Sequence, residues 1–377
     1  MKKILFAAAL AGAAFLTACG GKNGDGVKMG SLSDFDSLSY ALGANVAYSM
    51  RYELKDIPFD WKTIDKAIVD GAMGKAAEKH EESLNKLREY FMTTRSERMR
   101  AISQKRAAAD SVRLAAGDST KVEYPAADPE MFESEEERKS ISYAFGNDLG
   151  YSISKSEMPI QLVWINEAMQ NVRDDKATMS EDEVNKYLQY YMMVKRPAEN
   201  AEASKAWLEK IEKSSGVKKT ESGLLYKVTK EGDMSQKATD PRDVVKVQYT
   251  GRTRAGKVFD SSIFENLPED VQEMRKQQQP DAYDKNEPVE FPLNRVIPGW
   301  TEGMQLVGKG GTITLWVPSD LAYGARGMGR GIGPNEALEF EVELVDVTPY
   351  VEPAPADSTA VAPKAELQVN EKTPAKK

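Results

Sequence analysis

The sequence predicts an α+β protein in two parts: an all-helical N-terminal half made of two tandem repeats with long helices, then an antiparallel β-sheet wrapped around a short helix. Three observations carry this. Residues 36–50 (DSLSYALGANVAYSM) align with 139–153 (KSISYAFGNDLGYSI), with seven identities in fifteen positions. In each copy the apolar residues, Leu38, Leu42 and Val46 or Ile141, Phe145 and Leu149, recur at helical spacing. From about Val217 the period becomes two, most clearly in Ala337 to Val347, where Leu338, Phe340, Val342 and Leu344 alternate with Glu339, Glu341 and Glu343.

At the N-terminus, Lys2 and Lys3 precede an apolar run, Ile4 to Leu16, that suits a signal peptide and is too short to cross a bilayer. It ends in Leu16, Thr17, Ala18 and Cys19, which resembles a bacterial lipobox and marks Cys19 for lipidation. Acyl chains on Cys19 exceed the single-chain limit for stable anchoring. The resemblance implies membrane attachment through Cys19, and no acidic residue follows it as an inner-membrane retention signal, so the outer membrane, facing the periplasm, is the expected address. Gly20 to Gly30 reads as a flexible tether.

The first copy continues with a second short helix (Ile64, Ala67, Ile68) and a long one, Ser83 to about Ala116, rich in strong helix formers. Gly117 to Glu130, with Pro125 and Pro129, reads as a linker. The second copy repeats the order, with Ile165, Ala168 and Met169, then Ser180 to about Ser214, opened by a Ser180/Glu183 capping box. Pro197 is expected to kink or divide that helix after Arg196. Helices too long to be covered by their own short unit must pack on something else, and the duplication suggests that the two copies pair within one chain.

Strands are expected at Val244 to Tyr249, Val258-Phe259, Val289 to Leu293, Thr312 to Val317 and Ala337 to Val347, with a hairpin turn at Ala255-Gly256 and a single helix from Gly299 to about Leu306 after Pro298.

Composition excludes much chemistry. One histidine (His80) and one cysteine (Cys19) cannot build a His-centred triad, a thiol/His pair or a His- or Cys-rich zinc site. A net charge of −8 gives no overall field toward nucleic acid or anionic lipid. No metal and no cofactor are expected.

What remains is a constellation of rings. The segments VQYTGRTRAGKVFDSS (247–262), PVEFPLNRVIPGWTEGMQLVGKGGTITLWVPSDLAYG (288–324) and GPNEALEFEVELVDV (333–347) resemble, in order and spacing, the FKBP-type peptidyl-prolyl cis-trans isomerases. The repeats around SYALG resemble the helical N-terminal domain of Mip-like members, which carry a single copy and form homodimers. Two copies here imply either a pseudo-dimeric monomer or a homodimer through the helical repeats. The resemblance divides the chain into a lipoprotein signal peptide (1–18), a tether (19–30), helical repeats (31–118 and 136–216) around a linker (119–135), an isomerase domain (217–348) and a disordered tail (349–377).

Carried across by that resemblance, Tyr249, Phe259, Asp260, Tyr323 and Phe340 would be catalytic. Val289, Val296, Ile297, Trp300 and Ile332 would bind substrate, with Trp300 as the floor for a proline ring and Ile297 offering its backbone N–H. Taken singly, Trp300 or Phe340 is more often core, and Asp260 a turn residue; their joint spacing favours a pocket. The chemistry needs no acid, base or metal, because rotating an X-Pro bond breaks no covalent bond. The implied partners are proline-containing exported polypeptides and macrolide-type FKBP ligands. A non-catalytic peptide-binding chaperone or envelope scaffold is the competing reading.

Three departures from the family pattern stand out. Val289 occupies a position where an aromatic is usual. The loop after Tyr323 is one residue longer. Ile263 to Asn286 replaces a short bulge and reads equally as a flap or partner-binding loop or as a solvated insertion of no consequence, and Arg275 is a candidate for the cation paired with Asp260.

Overall fold

The computed structural model describes residues 27–352, apart from 157 and 329–330 and the side chain of Asp270. The signal peptide, Cys19 and all but the first residues of the expected tail lie outside the described residues.

Among the described residues, the helical half contains eight α-helices in two equivalent sets. The first is α1 (Ser37–Glu53), α2 (Trp61–Ala72), α3 (His80–Glu89) and α4 (Arg95–Ala115); the second is α5 (Glu135–Ser154), α6 (Leu162–Arg173), α7 (Glu181–Tyr190) and α8 (Arg196–Glu212). Side-chain caps set several starts. Asp36 and Asp60 accept from the amides of Ser39 and Thr63, and Ser180 and Glu183 form the expected capping box.

The copies are intertwined. Helix α2 packs on α5, and α1 packs on α6, so each first helix lies against the second helix of the other copy. Buried residues of both copies, Tyr40, Ile64, Ile68, Phe145, Ile165 and Met169 among them, form one core. The contacts are reciprocal. Ser39 Oγ accepts the Gln161 amide at 2.8 Å, and its equivalent Ser142 Oγ accepts the Asp60 amide at 2.9 Å. Tyr40 Oη accepts the Thr178 amide at 2.9 Å, and Tyr143 Oη accepts the Ala77 amide at 2.7 Å. The equivalent glycines Gly43 and Gly146 permit close approach: a Cβ on Gly43 would stand 2.3 Å from the Ile165 carbonyl oxygen, and one on Gly146 2.5 Å from that of Ile64. The tyrosines and small residues shared by the repeats thus form the seam between the two copies.

Two details differ from expectation. Each long helix is interrupted by a π-turn, Tyr90–Thr94 before α4 and Tyr191–Lys195 before α8. Pro197 therefore does not break the helix after Arg196; it sits in the first turn of α8, where a missing amide costs least. The first copy has the same π-turn without a proline, so Pro197 is not its cause. The segment between the copies is also pinned. Tyr90 donates to the Met131 carbonyl at 3.1 Å, and Met131 and Phe132 are core residues, with Phe132 stacked on Tyr90. At the start of the described chain, within the expected tether, Lys28 N–H donates to Ile160 O and Lys28 O accepts from Leu162 N–H.

The C-terminal part is a seven-stranded antiparallel sheet in the order β1-β2-β8-β9-β4-β5, with β6 also paired to β4. Its strands are β1 (Lys218–Lys219), β2 (Leu225–Lys230), β4 (Val244–Thr253), β5 (Val258–Ser261), β6 (Val289–Pro292), β8 (Gly311–Val317) and β9 (Leu338–Thr348). A small second sheet joins β3 (Asp233–Lys237) to β7 (Gly308–Lys309). On β9, Leu338, Phe340, Val342 and Leu344 are buried, as their alternation with glutamates requires. Helix α10 (Pro298–Gly303) packs on that face and carries Trp300 and, just beyond its end, Met304 into the core. The insertion contributes a second helix, α9 (Glu269–Gln278), which the sequence reading did not anticipate.

Candidate functional site

The cleft is built on the apolar face of the sheet where β4, β5, β6 and β9 meet α10. Trp300 is 4% exposed and stands at the centre of an aromatic box. Tyr249, Phe291 and Phe340 meet it edge to face, at centroid distances of 5.2, 5.7 and 5.3 Å and interplanar angles of 88°, 86° and 84°. Phe259 stands edge-on to Phe340 at 5.6 Å. Such perpendicular pairs are the favoured aromatic geometry, each worth about 0.5–1.5 kcal/mol beyond burial, so the box is stiff. Gly251 makes room for it: a Cβ there would lie 2.7 Å from the Phe259 ring and 2.9 Å from that of Phe340.

Polar character is confined to one edge. Tyr249 donates its hydroxyl to Asp260 Oδ2 at 2.6 Å, and the Asp260 side chain is exposed at the rim. Burial, with the Asp260 charge beside it, raises the Tyr249 phenol well above its ordinary range, and Tyr323 is raised for the same reasons. Both hydroxyls therefore stay protonated through neutral pH. Among the described residues no cation pairs with Asp260. Arg275 lies instead over the Phe264 ring and donates to the Lys285 carbonyl, which removes the suggested Asp260–Arg275 pair. Trp300 Nε1 is buried without a hydrogen-bond partner among the described residues. At the N-cap of α10, Ile297 has φ −63° and ψ 148°, and its amide finds no backbone acceptor among them.

Most of the expected site residues converge. Tyr249, Phe259, Val296, Ile297, Trp300, Tyr323, Ile332 and Phe340 all belong to, or pack against, one cluster. Val289 does not: it is 37% exposed. Phe291, two residues on and on the same face of β6, instead packs edge to face on Tyr249 and Trp300. Sequence reasoning missed it although the alternation Val289, Phe291 held the signal. The insertion is tied down beside β4. Asn266 Nδ2 donates to Thr250 Oγ1 at 3.0 Å, Gln248 Nε2 to the Asn286 carbonyl at 2.6 Å, and Phe264 N–H to Asn286 Oδ1 at 2.7 Å.

A largely buried box of rings, with one hydroxyl–carboxylate pair at its edge and an amide without a backbone acceptor among the described residues at a helix start, suits a flat, apolar, amide-bearing ligand such as a prolyl peptide. Residues 235–345 match the family model for the FKBP-type peptidyl-prolyl cis-trans isomerase domain, and residues 138–228 match that for the domain amino terminal to it. A probable FKBP-type peptidyl-prolyl cis-trans isomerase FkpA from Neisseria meningitidis is 37% identical over 58% of this chain and 79% of that protein. The chain belongs to the FKBP-type peptidyl-prolyl cis-trans isomerases.

FkpA from Escherichia coli K12 is 34% identical over 59% of this chain and 80% of its own length. The outer membrane protein MIP of Legionella longbeachae is 32% identical over 56% of this chain and 86% of its own. A crystal structure of E. coli FkpA, 36% identical, covers 48% of this chain and 78% of that one with a TM-score of 0.34. This FKBP-type isomerase carries its N-terminal family match on the second helical copy, and the first copy extends that plan by duplication. No helix among the described residues is long and apolar enough to cross a membrane.

Proposed function

We propose that the aromatic box is where this isomerase turns X-Pro bonds of exported polypeptides, with the prolyl ring on Trp300 between Tyr249, Phe259, Phe291 and Phe340. Rotation about the imide must cross about 18–20 kcal/mol because resonance gives the C–N bond double-bond character. That resonance form is charge-separated, so a dry cleft disfavours it relative to the twisted geometry, where nitrogen and carbonyl are decoupled. The Ile297 N–H and Tyr323 hydroxyl hold substrate carbonyls, Val296 and Ile332 complete the apolar lining, and Asp260 fixes Tyr249. Lowering the barrier by about 5 kcal/mol already gives a 10³- to 10⁴-fold acceleration.

The observation that carries this reading is the edge-to-face box around Trp300 closed by the Tyr249–Asp260 hydrogen bond. The test is a proline-tetrapeptide isomerisation assay. Asp260→Ala and Phe259→Ala are expected to lower kcat/KM at least tenfold, and Tyr249→Phe less. Peptide binding without turnover in the wild type would instead support a peptide-holding chaperone, and turnover indifferent to these substitutions would place the active site elsewhere.

The further parts of the reading are an envelope address through a lipidated Cys19, folding-chaperone activity on exported chains, macrolide-type ligands in the same cleft, and a monomer whose two helical copies do the work of a dimer. The lipobox-like end of the leader supports the first, and the reciprocal seam of the two copies supports the last. Metabolic labelling with a fatty acid, lost in Cys19→Ser, tests the anchor.

A further inference from the structure

The catalytic domain's loop after Tyr323 is held from behind by a helix of the other half. Ser204, on α8 and 4% exposed, donates its hydroxyl to the Asn335 carbonyl and accepts the Ala337 amide, both at 3.0 Å. One turn earlier, Asn200 donates to the Pro334 carbonyl at 3.0 Å and accepts from Arg254 Nη2 at 3.2 Å. The loop reaches back: Asn335 Nδ2 donates to the Pro197 carbonyl at 3.1 Å. Three residues of one helix face thus engage three loop residues, Pro334, Asn335 and Ala337.

That stretch connects directly to the cleft. Asn335, in the left-handed region at φ 56°, gives its amide to the Gly324 carbonyl at 2.9 Å, next to Tyr323. Buried Glu336 accepts from Arg254 Nη1 at 3.1 Å and from the Gly333 amide at 3.0 Å, next to Ile332. Beyond Ala337, β9 opens with Leu338 and reaches Phe340. Loops generally move more than the elements they join, and binding is weakened when the ligand must order them. Here the ordering is supplied in advance by α8.

We propose that Ser204 and Asn200 are positioning residues for the isomerase site: α8 preorganises the loop that carries Tyr323 and Ile332, and so sets the affinity of the cleft for its prolyl peptide. Neither residue touches the cleft. They act through residues 334 to 337 on one wall of it, while the floor at Trp300 and the Tyr249–Asp260 edge belong to elements that α8 does not bond. Loosening the clamp is therefore expected to weaken substrate binding more than the bond rotation itself.

The inference rests on the cleft assignment above. The test is steady-state kinetics of the full-length protein on a proline tetrapeptide, with Ser204→Ala, Asn200→Ala, the double variant and Ser204→Thr. The expected result is KM raised about fivefold in the double variant, kcat held within twofold, a smaller KM change in each single variant, and a return toward wild type when Thr restores the hydroxyl. An unchanged KM in the double variant would overturn the proposal, as would a parallel loss of kcat and melting temperature, which would mark a merely structural contact. Asp260→Ala, assayed alongside, separates the two readings: if it leaves turnover intact, the cleft assignment fails; if it abolishes turnover while the α8 variants bind peptide like wild type by calorimetry, only the clamp fails.

Discussion

Helices α4 and α8 are counterparts in the two helical copies, reached through the same π-turn, yet they end in different company. Helix α4 turns to the connecting segment and the start of the second copy: Arg98 grips Glu137 through two hydrogen bonds at 2.6 and 3.0 Å and bonds the Met131 carbonyl, and Arg106 reaches Asp128 at 2.8 Å. Helix α8 turns to the catalytic domain through Asn200 and Ser204. One helix uses charged pairs to close a linker. The other uses small, neutral hydrogen-bonding groups to seat a loop. Small groups fit where two domains meet closely, and the comparison shows how a duplicated element takes a second role once its partner maintains the first.

Five substitutions break or sharpen that comparison. The seam common to both copies should be the most sensitive. Gly43→Ala and Gly146→Ala each force a Cβ against a backbone carbonyl of the other copy and are expected to cost about 2–3 kcal/mol. Thermal denaturation followed by far-UV circular dichroism reads the loss, and a cost confined to one of the two positions would contradict reciprocal packing.

Next comes Arg98→Ala, which removes a half-buried bidentate pair. It should destabilise the helical half by about 1.5–2 kcal/mol in urea titrations while leaving KM for a prolyl peptide unchanged, unlike the α8 variants. A rise in KM would erase the distinction between the two helices.

A third difference lies at the equivalent positions Asp65 and Asn166, where Asn166 Nδ2 donates to the Asp65 carbonyl at 3.1 Å and both side-chain Oδ1 atoms are buried without hydrogen-bond partners among the described residues. Burial, opposed by Arg173, pushes the Asp65 carboxyl up to about 6. A carboxyl raised by folding disfavours the folded state once ionised. Stability should therefore fall as pH rises from about 4 through 6, and level off above. Allowing for residual solvent screening, Asp65→Asn should add about 1 kcal/mol at pH 7.5 and nothing near pH 4. A gain of equal size at both values would count against this cause. Smallest of all, Lys186→Ala, which loses an exposed pair with Asp182, should leave the melting temperature by circular dichroism essentially unchanged.

How much was legible in the sequence depended on how much of each element is buried. The seam was readable because Tyr40, Gly43 and their counterparts recur at a fixed offset. The rings at 249, 259, 300 and 340 were readable because strand alternation and one short helix place them together. Strand β3 was not, since every residue in it is exposed and no apolar period marks it. Helix α9 has no buried residue among those described, so its sequence carries no core stripe. Phe291 lies one side-chain period from Val289 on a strand of only four residues, too short for its alternation to stand out. Met131 and Phe132 were assigned to a linker because the prolines around them signal turns, whereas burial against Tyr90 decided their place. The clamp on residues 334 to 337 had no local signature, since Asn200 and Ser204 look like ordinary surface polar residues until the loop arrives from more than a hundred positions away.

The intertwined seam has a consequence for how little of this protein a cell needs. Two separate subunits that complete each other's core come apart when dilute, and their folding free energy then depends on how many copies are present. With both copies in one polypeptide, the second meets the first at the high effective concentration set by the tie between them, and association becomes an intramolecular step. The folding of this intramolecular core is then independent of how many copies of the protein are present.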